Sequence, residues 1–426
     1  MTRCFVMTGK AVHVAGTTGV KAASMDSGFL RSDHQGQLIT LGLKDDNNRT
    51  LPVAAAIVDK EDASNYTYFL RNCMRSLTFG TVFNSADMTF FTDGHKGSLS
   101  ALVECCPEAQ RRMCLQHYIR NAPPFGSDLL TNVYNAARAP TRVQFDRFMR
   151  RVKDLKPTTY DHLTTVIPLS AWTHHASKQD TRVGDTVTSN DAESLFNMIG
   201  EEVRGMVPLK IMEALMDLTA MKCVTFSKTG ANTSERFTPH AVKSFEAERT
   251  LSNGLVVKDY GSDTFKVENR GRDPGSNTVD LKFRSAEDGG HVMGCTCGFC
   301  VRHAIPCRHV LAAAAYLGKM DIARELIDDG YNAQKYRTAY ANASFRIRPP
   351  SLDTLENDPT LLPPKPVKKK SGRPKGKQKR KRDDVIGEHS TSSRYNERSS
   401  APAGATAGAP VGPSLSQPTL SQQTQA

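Results

Sequence analysis

The sequence predicts an α/β fold, followed by a small metal-bound module and a basic tail. Three observations carry this. Strand and helix signals alternate through the first 120 residues, four cysteines and two histidines crowd into 295–309, and eleven Lys/Arg fall within 365–382 with no acid among them. Alternating strands and helices mark a sheet covered by helices.

A strand is expected over 20–25. Residues 36–43 (GQLITLGL) and 51–58 (LPVAAAIV) read as buried strands, separated by the turn cluster Asp45-Asp46-Asn47-Asn48. A helix follows over 64–77, with Tyr68, Leu70 and Met74 on an apolar face. Residues 88–92 read as a strand ending at Asp93-Gly94. A helix over 96–105 and a short strand over 111–115 complete a ββ-β-α-β-α-β order. Residues 117–185 lose the strand signals and read as helical. Helices are expected over 190–200 and 208–223, the second with Pro208 near its first position. Strands return at 254–259, 264–268 and 278–283, before the cysteine cluster and an alanine-rich helix over 307–316. Pro349-Pro350 and Pro363-Pro364 bracket a linker, and from 365 onward the composition is that of unfolded chain. The expected divisions are a core in two pieces (1–122 and 187–225), a helical insertion (123–186), a strand-rich connector (226–292), a zinc module (293–320), a linker (321–364), a basic segment (365–382) and a disordered tail (383–426).

The 426 residues carry a net charge of +12. The eleven basic residues of 365–382 and the net −2 of 383–426 leave only +3 on residues 1–364, so the positive charge belongs mostly to the tail. Such a block repels itself and attracts phosphate through counterion release. A hydrophobic content of 38% suffices for a core and excludes a wholly disordered chain. No apolar run approaches the ~18 residues of a membrane span, and the first residues hold no sustained apolar stretch of the secretory type. Ten cysteines, four of them beside histidines, fit a reducing compartment with one metal site better than a disulfide framework.

The cluster reads Cys295-Thr-Cys297-Gly-Phe-Cys300-Val-Arg-His303-Ala-Ile-Pro-Cys307-Arg-His309. A C-x-C-x9-C-x-H pattern through Cys295, Cys297, Cys307 and His309 supplies the four ligands of a closed, structural Zn²⁺ site. Cys300 and His303 are also within reach, and spacing leaves a C-x2-C-x2-H subset open. The spacing and the phrase Ile305-Pro306-Cys307-Arg308-His309-Val310-Leu311-Ala312-Ala313 resemble the SWIM zinc finger, a module associated with DNA or protein binding.

Three acids stand at suggestive places. Asp26 ends the first strand, Asp93 ends the strand over 88–92, and Glu193 lies in the first turn of a helix. Three carboxylates converging on two divalent ions are the requirement of two-metal phosphoryl transfer, and hard oxygen ligands suit Mg²⁺. Each acid also has an ordinary reading. Asp26 and Asp93 could initiate turns near glycine, and Glu193 could complete a capping box with Asn190.

The surrounding residues resemble Mutator-like element (MULE) transposases from about residue 20 to 382. Asp26-Ser-Gly-Phe29, Gly42…Asp45-Asp-Asn47-Asn48…Pro52-Val-Ala, Thr92-Asp93-Gly-His-Lys96-Gly97, Cys114-Leu-Gln-His117…Asn121 and Thr188-Ser189-Asn190-Asp191-Ala192-Glu193-Ser194…Asn197 follow the family's order. The resemblance implies an RNase H-like core interrupted by a helical insertion. It also implies metal-dependent cleavage and strand transfer of DNA, with Asp26, Asp93 and Glu193 holding two Mg²⁺ or Mn²⁺ ions. His117 is placed near that site as an auxiliary residue, with Cys114 either packed or half of a metal site. Trp172, the single tryptophan, could stack on a base or anchor the insertion.

Ser371-Gly372-Arg373-Pro374-Lys375-Gly376-Lys377 resembles an AT-hook, with Arg373 in a narrow minor groove and Lys375 and Lys377 on phosphates. The same run reads as a nuclear import signal. Relatives carry an N-terminal DNA-binding domain before the first acid. Only 25 residues precede Asp26, so that domain is expected to be missing. The expectation is a DDE-type DNA transposase in the nucleus, binding DNA, self-associating and without a membrane partner. The alternative is a non-catalytic, transposase-derived zinc-finger DNA-binding protein or regulator. A SWIM adaptor for proteins is a third reading.

Overall fold

The structure, a computed structural model, describes residues 3–341 apart from 20, 32–35, 121, 123–125, 178–181, 185, 189, 232–234, 269–274 and 285–289, and apart from the side chains of 190–193 and 229–231. Arg373, Lys375, Lys377 and the rest of the tail lie outside the described residues.

Six strands form the main sheet: β1 (Cys4–Met7), β2 (Ala22–Phe29), β3 (Gln37–Lys44), β4 (Thr50–Val58), β5 (Thr89–Thr92) and β6 (Gln110–Met113), in the order β1-β4-β3-β2-β5-β6. β2, β3 and β4 make an antiparallel meander, and β1 joins its edge antiparallel to β4. β5 and β6 run parallel to β2. β3 and β4 are almost continuously buried, as strands covered on both faces must be. Their period-two alternation splits the apolar side chains between faces. Ile39, Leu41, Ala54 and Ala56 enter one cluster, while Leu38, Ala55 and Ile57 enter the other.

The first face is covered by α1 (Gly9–Thr17), α2 (Ala63–Met74), α3 (Leu77–Phe83) and α4 (Lys96–Cys105). The helix expected over 64–77 is two helices, because Ser76 caps α3 by accepting from the Phe79 N–H. β1 and α1 have no counterpart in the sequence reading. α5 (Leu115–Arg120) leads from β6 into the insertion, built of α6 (Ser127–Arg138), α7 (Arg142–Leu155) and α8 (Pro157–Thr165). Trp172 anchors its core: it is 1% exposed, with the rings of Tyr118 and Phe145 each 5.9 Å away. The base-stacking alternative therefore fails on burial.

α9 (Asn190–Arg204) and the first part of α10 (Pro208–Ala231) cover the second face. Phe196 packs on Gly28 and Leu195 on Gly42 so closely that a Cβ at either glycine would lie 2.9 or 2.8 Å from them. α10 runs past the expected 223, and Cys223 and Phe226 reach back to the first cluster.

The stretch 226–292 is not only strands. α11 (Pro239–Ser252) begins at a Thr238 cap with Pro239 in its first turn. It precedes β7 (Val256–Asp259), β8 (Thr264–Glu268) and β9 (Ser276–Lys282). With β10 (Val292–Cys295) these form an antiparallel sheet in the order β10-β9-β8-β7. α12 (Phe299–His303) and α13 (Arg308–Tyr316) follow, and α13 buries Val310 and Leu311 with Phe245, Phe265 and Val279.

The expected linker over 321–364 also differs: residues 323–341 hold two short 3-10 turns and α14 (Ala333–Ala341). The reason is Asp45, which is wholly buried in the β3–β4 turn. One of its oxygens accepts from the Asn47 and Arg49 N–H groups, and the other from the hydroxyls of Tyr336 and Tyr340 at 2.8 and 2.9 Å.

Candidate functional site

Asp26 and Asp93 are brought together by the parallel pairing of β2 with β5. Ser24 is level with Phe91 in that register, and each acid lies two residues further on. Neighbouring strands run ~4.8 Å apart, so the register brings the two residues to neighbouring backbone positions. Parity places them on the face that α9 covers, since Gly28 of the same strand meets Phe196. Asp26 lies inside β2 rather than at its end. Phe29 continues the pairing with Gln37 of β3, whereas β5 stops at Thr92.

Each acid is held by backbone. Asp26, 7% exposed, accepts from the Ser27 N–H at 2.8 Å through Oδ1. Asp93 accepts from the His95 N–H at 2.9 Å. Gly94 between them takes a φ of 83°, and a Cβ there would lie 2.6 Å from Met113 Cε. Glycine after Asp93 is thus a geometric requirement. Glu193 lies in the first turn of α9, three residues before Phe196, and its side chain is outside the described residues.

His117 enters from α5, which is tied to β5 by the Cys114 N–H on Thr92 O at 2.6 Å. A hydrogen bond with Cys114, and then the Cys114 and Asp26 charges, push its pKa up to about 9 against the opposing effect of burial.

The sequence reading missed Tyr66 and Glu61. Tyr66 is fully buried in α2, and its hydroxyl donates to Glu61 Oε1 at 2.7 Å. Burial first, then the Glu61 and Asp93 carboxylates, push its phenol well up, while a hydrogen bond with Ser27 acts the other way. Ser27 also donates to Gln37 Oε1 at 2.9 Å. This network ties α2 to the strand that carries Asp26. Periodicity counts Tyr66 simply as a core residue, so only the carboxylate five positions earlier could have flagged it.

The second cluster comprises Cys295, Cys297, Cys307 and His309, whose ligand atoms all lie within 4.8 Å of one another. Three sulfurs and one imidazole nitrogen at that separation could hold a metal such as zinc. Cys295 comes from the end of β10, and Cys307 and His309 from the start of α13. His309 turns Nδ1 to the sulfurs of Cys295 and Cys307, at 3.6 and 3.8 Å, and Nε2 to the Asn277 side chain at 3.1 Å. Such an outer partner fixes the orientation of a ligating imidazole. Hydrogen bonds from Cys295 first, then Cys297 and Cys300, hold the Cys307 thiol well below its usual range. Cys300 touches Cys307 without joining the group of four, and His303 lies outside that group. The Cys300 sulfur accepts the Cys307 N–H at 3.4 Å, and His303 stacks on Phe299 with centroids 4.0 Å apart. α13 is also held from outside, where buried Glu248 of α11 takes the Arg308 N–H at 2.7 Å and its guanidinium at 2.8 Å.

Residues 22–121 match the MULE transposase domain family. The matched stretch runs from β2 to α5 and contains Asp26, Asp93, Cys114 and His117. Comparison with curated proteins finds no match. No helix among the described residues is long and apolar enough to cross a membrane.

Proposed function

We propose that the chain is a DDE-type DNA transposase, cutting DNA and joining strands at Asp26, Asp93 and Glu193. The observation that carries this is the placement of Asp26 and Asp93 on adjacent parallel strands, on the face crossed by the helix bearing Glu193. The strand order, an antiparallel meander extended by two parallel strands, supports an RNase H-like core. Carboxylate oxygens are the donors Mg²⁺ or Mn²⁺ prefers. Bound there, two such ions would activate water or a 3′-hydroxyl and stabilise the leaving oxygen. The chain's own contribution is orientation. The Ser27 and His95 N–H groups fix the two aspartates, and Gly94 lets the loop turn without moving them. His117, whose pKa the Cys114 and Asp26 contacts push upward, is suited to donate to a phosphate oxygen.

Zinc on Cys295, Cys297, Cys307 and His309 would be structural, since four protein ligands leave no open position. We read this module as a SWIM-type finger. We read Arg373, Lys375 and Lys377 as DNA contacts within an AT-hook-like, nuclear-targeting segment. The test is Mg²⁺- or Mn²⁺-dependent nicking and strand transfer on plasmid DNA, wild type against Asp93→Asn. Activity lost in the variant supports the proposal. DNA binding with no metal-dependent activity in either protein favours a transposase-derived regulator.

A further inference from the structure

On the outer side of α2, away from the sheet, lies a groove of about 650 Å³. One wall is a continuous stripe of α2: Ser64, Thr67, Tyr68, Arg71, Asn72 and Arg75 fall at spacings of three, four, seven, eight and eleven, one face of a helix. At 1.5 Å per residue the stripe runs about 16 Å. The other wall is α4, with Ser100 and Glu104, and Arg3 closes the far side. The groove is polar and cationic. Three guanidinium groups face one carboxylate, and that carboxylate is already engaged, Glu104 taking both Arg71 and the Thr67 hydroxyl. Arg3 is held in place by Ser64 at 3.0 Å and lies over the Tyr68 ring at 5.0 Å. Arg75 is exposed beside Asn72.

The near end of the groove is formed by the start of α2, at Ala63 and Ser64. The starts of α2 and α4 touch so closely that a Cβ on Gly97 would lie 2.7 Å from the Ala63 nitrogen, and Gly97 is four residues beyond Asp93. Lys96 stands exposed between Asp93 and Ser100. We infer that this groove binds the sugar–phosphate backbone of DNA, on the side of the sheet covered by α2 and α4. The inference rests on the DNA-processing reading above and adds where the strand runs. Guanidinium groups pair with phosphate oxygens bidentately, and hydroxyl and amide groups complete such contacts. Among residues 1–364, which carry only +3 in total, such a concentration of exposed arginine lining a groove is a local feature and not a consequence of overall charge.

The experiment measures binding of the full chain to a fluorescent duplex across a salt series. The triple variant Arg3→Gln, Arg71→Gln, Arg75→Gln is expected to bind about tenfold more weakly and to lower the slope of log affinity against log salt by about 2 to 3. Lysine at the same three positions is expected to keep the wild-type slope, which separates charge from fold. Ser100→Glu leaves the arginines in place, puts a negative charge on the opposite wall, and is expected to weaken binding as well. Wild-type slope and affinity in both the glutamine triple and Ser100→Glu overturn the groove. If the wild type itself does not bind DNA, the DNA reading of the whole chain fails, and the groove loses its partner with it.

Discussion

His240, in the first turn of α11, donates its N–H to the Asn47 carboxamide at 3.0 Å. Burial first, then His303, Lys44 and Lys243, push its pKa down to about 4. The unfolded ring titrates near 6.5, so between those values the unfolded chain binds the extra proton. Stability is therefore whole above about 6.5 and falls as pH drops toward 4, by about 3 kcal/mol for a shift of this size. His240→Gln is expected to flatten that stretch of the stability–pH curve, measured by urea unfolding between about pH 7 and about pH 4. An unchanged curve would assign the acid sensitivity to another group. Gly94 gives a second case at this scale. Gly94→Ala is expected to cost about 1–2 kcal/mol from the left-handed backbone, with the end of the Met113 side chain moving aside. It should also move Asp93. Lost metal-dependent nicking in a still-folded Gly94→Ala protein would show that displacement; retained nicking would show that the loop absorbs it.

At the scale of elements, α13 is held by two independent devices, the Cys295–Cys297–Cys307–His309 cluster on one side and Glu248 on the other. Cys307→Ala is expected to abolish bound zinc, measured by elemental analysis, and to open the region around β10 to α13 to hydrogen exchange. The core packed around Leu311 and Phe245 should persist. Equal zinc content in variant and wild type would refute the ligand assignment. These elements also show what was legible beforehand. The cluster and α13 were readable because ligand spacing and an alanine run are local. α4 was readable because its helix signal directly follows Asp93-Gly94, a strand end. Asp26 and Asp93 could be named singly from strand-end patterns, but their meeting depends on β2–β5 register, which no local pattern holds. α11 and α14 were overlooked for a related reason. Much of their stabilisation comes from distant partners, Arg308 for Glu248 and Asp45 for Tyr336 and Tyr340. Tyr66 shares that fate, because its Glu61 and Ser27 contacts join separate elements.

Among the described residues, the six-stranded sheet with its helices and the cysteine-bearing module are bound by polar ties as well as by packing. The turn at 45–49 takes α14 through Asp45, the start of α11 through Thr238 on Asp46 O, and the Gly19 N–H through the Asp46 side chain at 2.7 Å. Arg182 grips Asp328 with both terminal nitrogens, at 2.8 and 2.7 Å. The turn that sequence patterning treats as a mere break between strands is thus where α11 and α14 dock. Burial pushes the Asp45 pKa up while its four donors oppose that, so removing two donors leaves a buried charge half-satisfied. A hydrogen bond to a charged group contributes about 1.5–3 kcal/mol. A chain ending after residue 332, before α14, is therefore expected to lose about that much stability. A chain ending after 364 should unfold at the wild-type midpoint, because it keeps α14. Deleting 365–382 should act in the opposite sense, lowering DNA affinity and its salt slope while leaving the unfolding midpoint where it was. Thermal unfolding and salt-dependent binding on the same three proteins separate the two roles. Equal midpoints for the chains ending at 332 and 364 would mean that α14 is not what holds Asp45 in place.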